Sequence, residues 1–600
     1  MGYDDEPSGS IGAWRGMIPF FRPFKALLLG ISAMMIVCSL VDALVPIYQK
    51  YIIDSFIVPG RADGLRTAAV CGVIMISVRM IGTMFFTRLA IKVEMGFSRD
   101  LKRACFSRLQ TLSLSYYNTT SVGYIISRVM SDTDKIGLML AWGLVDILWG
   151  VSGVIFSVAA MLLLDASLGM WLVATVIPMA FVTGWFQSRI LRHNRAARQL
   201  NSQITGAFNE GILGARTSKT LVIEDVNISE FSSLTGGMYK ESVRAASLSA
   251  AYSPIMMMFG SLAVAMIIVR GGAEVMGRAM EIGVLSALVS YSINIFEPIQ
   301  HLAAIFSEIT ATQANIERVT ALLGERPEIT DSPEITAKYG DTFNPKREGW
   351  EPIKGNIAFD DVTFKYPDGT EYVLEHFNLT IPAGSCVAIV GETGAGKSTL
   401  VNLACRFYEP TSGRILIDGR DIRERSQLWL RSNIGYMLQS PHLFSGSIRD
   451  NISYGKLGAS DDEIMAAARL VSADEVIEKL PGGLASEVGE GGDKLSTGEK
   501  QLICFARAVI SDPRIFILDE ATSSIDTEAE LAIQRAISKS LEGRTSFLIA
   551  HRLSTVKKAD LILAVRDGKI IERGTHAELI KQKGYYAKLY HTQFEDGEKV

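Results

Sequence analysis

The stretch Val390-Gly391-Glu392-Thr393-Gly394-Ala395-Gly396-Lys397-Ser398-Thr399 fits G-x-x-x-x-G-K-[ST], the spacing of a phosphate-binding loop. The motif has meaning only between a strand and a helix. Ser385 to Val390 is short, apolar and β-branched, and reads as a buried strand. Leu400 to Cys405 carries the apolar residues of a buried helix. In that setting Gly391, Gly394 and Gly396 let backbone N–H groups converge on phosphate oxygens, and the helix N-terminus adds its positive dipole end. Lys397 reaches the outer phosphates, the Ser398 hydroxyl, which closes the motif, suits Mg²⁺, and Thr399 follows it.

Working outward, 600 residues are too many for one domain. The net charge of -4 gives no bulk attraction to nucleic acid. Hydrophobic residues make up 48% of the chain, and their long runs all precede about Ile316. Cys38, Cys71, Cys105, Cys386, Cys405 and Cys504 form no C-x-x-C pair. They read as small buried hydrophobes in a reducing compartment. Met1 to Ser10 is polar and lacks the pattern of a cleavable signal peptide.

Trp14 to Lys25 interleaves aromatic and basic residues, as an amphipathic segment at a membrane surface does. Six apolar runs follow, at about 26–57, 67–91, 136–164, 168–186, 246–269 and 282–305. A span needs about 20 helical residues. The stretches between the second and third runs, and between the fourth and fifth, are rich in Lys and Arg, among them Arg99, Lys102, Arg108, Arg189, Arg192 and Arg198. The opposite loops are short and nearly balanced in charge. The positive-inside rule therefore places the long stretches and both termini in the cytoplasm. Both stretches have helical patterning without proline, so the spans are expected to continue as helices and to be joined by short transverse segments, at Tyr116 to Val122 and Gly211 to Lys219. A cytoplasmic hairpin without a coupling role is the alternative.

Four ionisable residues fall inside the spans: Asp42, Arg79, Asp146 and Glu297. Each costs about 2.5–3.5 kcal/mol to insert at a helix centre. Asp42 and Arg79 lie at similar depths on consecutive spans, so they are expected to pair, either to lock two helices or to serve a substrate. Asp146 and Glu297 are candidates for a polar cavity. Met256, Met257 and Met258 suit an adaptable apolar site or ordinary helix packing. Residues 324–355 hold four prolines among charges and read as a linker.

In the last part, Ile357 to Tyr366 alternates as a strand, and the Tyr366 ring is placed to stack on a base. Arg514 to Glu520 is a buried strand ending in two acids. Asp519 suits Mg²⁺ and Glu520 the attacking water. His551 follows another buried strand, within reach of a γ-phosphate, and Gln439 follows Ile434 to Leu438, placed to sense Mg²⁺ and water.

Leu495-Ser496-Thr497-Gly498-Glu499-Lys500-Gln501, about twenty residues before Asp519, resembles the signature of ABC transporters. Tyr366, the phosphate loop, Gln439, Asp519, Glu520, Ser523-Ser524-Ile525-Asp526 and His551 then follow the family's order, and Ser486 to Glu490 resembles its exporter-specific segment. The six runs complete the likeness to an exporter-type half-transporter. The resemblance implies an all-α six-helix transmembrane domain over 1–323, a linker over 324–355 and a cytoplasmic α/β nucleotide-binding domain over 356–600. It implies ATP and Mg²⁺ as ligands and coupling helices at the two transverse segments. It also implies a second half-transporter whose ATP meets Ser496 and Gly498, with Asp526 in the D-loop. Thr497 and Glu499 depart from the commonest signature, L-S-G-G-Q. With Glu520 and His551 intact, the departure points to a heterodimer in which this chain is catalytically complete; a homodimer is the alternative. The implied activity is ATP-driven export of an amphipathic small molecule across a plasma membrane, that of a bacterium. Lipid flipping, peptide export, siderophore uptake and channel gating are the competing readings.

Overall fold

Six helices of 43 to 53 residues carry the apolar runs: Trp14–Ile57, Leu65–Leu109, Val122–Leu164, Ala166–Leu213, Glu224–Met276 and Ile282–Gly324. The structure, a computed structural model, describes residues 12–519, 535–549 and 556–592. At 1.5 Å per residue the helices reach about 65–80 Å, more than twice the ~30 Å of membrane hydrocarbon. Each therefore runs beyond its apolar stretch, and the chain is a multi-pass membrane protein. The transverse segments are short helices, Leu114–Thr119 and Ala215–Leu221.

The chain divides into two compact units. Met1–Gln110 joins Ser121–Glu325, and Thr111–Thr120 joins Arg326–Val600. The short helix Leu114–Thr119 falls in the second of these units.

In the membrane unit, the amphipathic segment forms the helix Gly12–Phe21, ended by a 3₁₀ turn at Arg22–Phe24 that contains Pro23. Its apolar side packs on the second long helix, where Phe20, Phe21 and Phe24 surround Phe97 with ring centroids 5.4 to 6.5 Å away. Met161, Leu168, Met179, Ile267, Leu288 and Tyr291 knit the later helices together. Small residues admit close approach: a Cβ on Gly150 would lie 2.6 Å from Leu302. The third long helix contains two π-helical turns, Ser127–Asp132 and Met139–Gly143, and the first ends in another, Ile53–Ile57. Cys38, Cys105 and Cys405 are buried and Cys386 and Cys504 partly so, but Cys71 is exposed. It shares an outward-facing apolar stretch with Val70, Val73 and Ile74, a surface suited to lipid.

In the nucleotide unit a four-stranded antiparallel sheet has the order β2-β1-β4-β5, with β1 Ile357–Phe364, β2 Leu374–Ile381, β4 Ser412–Ile417 and β5 Arg420–Asp421. A six-stranded sheet has the order β10-β9-β3-β8-β7-β6. Its strands are β3 Cys386–Val390, β6 Ile434–Met437, β7 Ile515–Asp519, β8 Thr545–Ile549, β9 Leu561–Arg566 and β10 Lys569–Gly574. All but β10 run parallel. Both faces are buried, as parallel sheets require. Val387, Ile389, Ile517 and Leu563 enter one core, while Ala388, Val390, Phe516 and Ile562 enter the other.

The stretch predicted as a linker is an ordered strap on this unit. It contains the helix Pro333–Tyr339, capped where Ser332 accepts from the Ile335 N–H at 3.3 Å. Asp331 accepts from Arg406 Nη1 (2.9 Å) and the Gln427 N–H (3.0 Å), and the Trp429 indole donates to the Glu351 carbonyl (2.7 Å). Its charged residues find fixed partners, which composition does not reveal.

Candidate functional site

The phosphate loop lies where β3 hands over to the helix Lys397–Ala404. A side chain at Gly391 would strike the Val565 carbonyl oxygen. Gly394 (φ 86°) and Gly396 (φ 95°) occupy the left-handed region that L side chains avoid. Lys397 is 8% exposed and donates to the carbonyl oxygens of Gly391 (2.7 Å) and Glu392 (2.8 Å). Burial pulls its ammonium below the usual lysine range, against the opposing field of Asp519. Ser398 is exposed at the start of the helix. A cradle of glycines, a lysine and a helix N-terminus fits a polyphosphate.

Asp519 ends β7, paired across the ladder with Ile549 of β8, and β8 borders β3. Gln439 is exposed two residues beyond β6, which borders β7. The phosphate loop, Asp519 and Gln439 therefore gather at the carboxyl ends of one parallel sheet, the usual ligand edge of such sheets. Ser398 and Asp519 offer the hard oxygen donors that fit Mg²⁺ beside a bound phosphate. Glu520, Asp526 and His551 lie outside the described residues.

Tyr366 sits in two near-perpendicular ring contacts. Its ring meets Phe364 at 5.0 Å and 78° and Tyr408 at 5.1 Å and 87°. Its hydroxyl shares a 2.9 Å hydrogen bond with Thr399 Oγ1 in the phosphate-loop helix. Sequence reading passed over Tyr408, in the run Arg406-Phe407-Tyr408-Glu409-Pro410. Paired aromatics just after a phosphate-loop helix were the available signal. It also missed a recess of about 690 Å³ beside β6, bounded by Trp350, Tyr436, His442, Phe444, Tyr454 and Arg507.

The signature opens the helix Thr497–Val509. Ser496 Oγ accepts from the Glu499 N–H (3.3 Å), and Glu499 Oε2 accepts from the Ser496 N–H (2.8 Å) and hydroxyl (2.9 Å). This is a capping box. Glu499 thus folds back on Ser496 and leaves a carboxylate at the helix N-terminus, while Gly498 is buried. The segment 486–490 is tied to the chain ahead of it: the Ile448 N–H donates to the Ser486 carbonyl (3.0 Å), and Val488 N–H to the Gly446 carbonyl (3.0 Å).

In the membrane unit Arg79 Nε donates to Asp42 Oδ1 at 2.7 Å, and Arg79 Nη1 to Thr83 Oγ1. Asp146 is half-buried, one helical turn from Trp149, whose ring meets His301 edge-on at 5.3 Å. Glu297 is exposed one turn before His301. Met256 is buried beside Thr183, whereas Met257 and Met258 are exposed.

The comparisons with known proteins agree with this geometry. Residues 374–523 match the ABC transporter family, and residues 28–299 its transmembrane region. The chain is 34% identical over 586 residues to an uncharacterised ABC transporter ATP-binding protein, YfiC, of Bacillus subtilis, covering 97% of this chain and 94% of that one. It is 36% identical over 515 residues to the ATP-dependent lipid A-core flippase of Desulfotalea psychrophila, covering 85% and 87%. A bacterial Atm1-family ABC exporter solved with ATP bound superposes with a TM-score of 0.76 at 28% identity, over 95% of this chain and 99% of that one. The chain therefore belongs to the ABC transporters, as an exporter-type half-transporter that binds and hydrolyses ATP and works as a dimer in the membrane.

Proposed function

We propose that this chain moves an amphipathic small molecule out across a bacterial inner membrane by alternating access, as the catalytically complete half of a heterodimer. The observation that carries the reading is the phosphate loop on β3, at one sheet edge with Asp519, in a chain whose other unit is six long apolar helices. In this reading Gly391, Gly394, Gly396, Lys397, Ser398 and Thr399 hold the phosphates of ATP, and Tyr366 meets the base. Ser398, Asp519 and Gln439 hold Mg²⁺, which neutralises phosphate charge when bound. Glu520 orients the attacking water and His551 contacts the γ-phosphate. Ser496 and Gly498 face the partner's ATP, and Asp526 lies between the two sites. The basic cytoplasmic stretches support an orientation with both termini inside.

The heterodimer rests on Thr497 and Glu499, where the commonest signature has Gly and Gln. A stable, transport-active dimer purified from this chain alone overturns it. The lipid A-core flippase among the relatives favours lipid flipping as the second reading. ATP-dependent flux in inverted vesicles against a panel of drugs, lipids and peptides separates the two. The Glu520→Gln variant is the control: unchanged turnover in that variant refutes the catalytic assignment.

A further inference from the structure

The fourth long helix carries Arg189, Arg192, Arg195 and Arg198 just beyond its apolar run. No aspartate or glutamate occurs between Asp165 and Glu210, and no lysine between Lys135 and Lys219. All four arginines are exposed, and among the described residues none of the four is in an ion pair. The other basic stretch differs. There Arg99 pairs with Asp100 at 2.7 Å, Lys102 with Asp134 at 2.8 Å and Arg128 with Asp132 at 3.1 Å. The fifth long helix does bring a carboxylate to the arginine row, but both its oxygens are engaged. Glu241 Oε2 meets His193 Nδ1 at 2.6 Å, and Glu241 Oε1 accepts from Arg244 Nη1 at 2.7 Å. Membrane topology asks only for positive charge, which lysine supplies equally well. Arginine adds a planar fork of donors that matches phosphate oxygens.

Two of the four arginines extend an apolar surface. At 3.6 residues per turn, Phe181, Trp185, Arg189 and Arg192 fall within an arc of about 80° on the helix. Phe181 and Trp185 are exposed. The Arg189 guanidinium carbon lies 5.1 Å from the centre of the Trp185 ring, a cation–π contact. Tryptophan favours the level of the lipid headgroups. Along the helix axis Arg189 stands about 5 Å and Arg192 about 9 Å beyond Phe186, where the apolar run ends. The headgroup layer is about 5–7 Å thick, so both side chains reach it. Arg195 and Arg198 stand about 14 and 18 Å out.

We propose that Trp185, Arg189 and Arg192 form a binding site for the phosphate of an anionic phospholipid in the leaflet that they border. The two guanidinium groups hold the phosphate oxygens, Trp185 steadies Arg189, and the exposed face around Phe181 receives an acyl chain. The site is built on one face of one helix and does not depend on which cargo is moved.

Native mass spectrometry of the intact transporter in detergent, titrated with phosphatidylglycerol, phosphatidylcholine or inorganic phosphate, tests the site. Wild type is expected to bind phosphatidylglycerol more tightly than phosphatidylcholine. A basic residue near a membrane surface strengthens binding to anionic lipid about 5-fold. Arg189→Gln and Arg192→Gln are therefore each expected to weaken phosphatidylglycerol binding about 5-fold, and the double variant about 20-fold. Phosphatidylcholine binding stays unchanged in all three. Lysine at both positions keeps the charge without the fork, and is expected to fall between wild type and the double glutamine variant. Arg195→Gln with Arg198→Gln, which removes the same charge outside the headgroup layer, is expected to stay within about 2-fold of wild type. Equal losses in the two double glutamine variants overturn the site in favour of a diffuse basic field. Equal binding of the two lipids by wild type overturns it outright. Displacement of phosphatidylglycerol by millimolar inorganic phosphate identifies a free-anion site and overturns the lipid assignment.

Discussion

Arg318 grips Asp132 at two points: Nε donates to Oδ2 at 2.9 Å and Nη2 to Oδ1 at 3.0 Å. Asp132 is 2% exposed and sits in a π-helical turn of the third long helix, while Arg318 lies near the end of the sixth. Arg128, one turn before Asp132, adds a third contact at 3.1 Å. The arrangement ties the third long helix to the sixth.

Removing Arg318 leaves the buried carboxylate with Arg128 as its remaining cation. Breaking a buried pair from one side costs about 3–5 kcal/mol. Arg318→Met is expected near the low end, about 3 kcal/mol, because the arginine is itself partly exposed. Arg128→Met, which leaves the two-point contact whole, is expected to cost less. Melting temperatures of the purified variants in detergent rank the two, and equal losses would contradict the ranking.

The pair Asp42–Arg79 makes a second prediction. Each charge alone in a span costs about 2.5–3.5 kcal/mol at a helix centre, and the 2.7 Å contact between Nε and Oδ1 offsets part of both. Asp42→Arg and Arg79→Asp are each expected to lower the yield of folded protein in the membrane. The double exchange is expected to recover most of it. A double variant no better than either single one would show that the contact contributes nothing.

These two pairs differ in how legible they were. Asp42 and Arg79 stand out because a charge in an apolar run is conspicuous, and consecutive spans leave few partners. Asp132 and Arg318 are separated by 186 positions in stretches already rich in charge, so neither residue draws notice. The same contrast holds in the nucleotide unit. The phosphate loop was readable because its spacing is local and its strand is apolar throughout. The helical extensions were readable because their patterning outlasts the apolar runs. Asn118 and Tyr408, 290 positions apart, carry no shared local period, so the sequence marks the transverse segment but not the contact that holds it. The strap at 324–355 was obscured for a related reason. Its prolines and charges are those of a linker, and the partners that order it, Arg406, Gln427 and Trp429 among them, lie far along the chain.

A third prediction concerns pH. Lys50 near the C-terminal end of the first long helix donates to Glu281 at 2.7 Å and lies 3.3 Å from Asp54, which accepts from the Gly283 N–H at 2.7 Å. The Lys50 hydrogen bond holds the Glu281 carboxyl below its ordinary value. The folded chain therefore binds fewer protons at Glu281 than the unfolded one. The contribution is complete above the ordinary glutamate pKa, about 4.3, and is lost as pH falls through the lower folded value. Wild type is expected to lose melting temperature on acidification over that range more steeply than Glu281→Gln. Parallel curves for the two proteins would remove the clasp from the account.

The signature makes the last prediction. A helix N-terminus is a favourable place for an anion, and in this chain Glu499 supplies one from within the same helix. In the proposed dimer the partner's phosphate approaches that end and meets a carboxylate already there. Glu499→Gln keeps an oxygen that can accept from the Ser496 N–H and removes the charge. A charge at a helix terminus is worth about 0.3–1 kcal/mol, so the apparent KM for ATP is expected to fall about 2- to 5-fold in the assembled transporter. Ser496→Ala instead removes the cap, at about 1 kcal/mol of stability in the nucleotide unit, and offers the phosphate no hydroxyl. Steady-state ATPase titrations of both variants beside their melting curves separate charge from cap. An unchanged KM in Glu499→Gln, with an intact melting curve, would mean that the carboxylate does not face the partner's nucleotide.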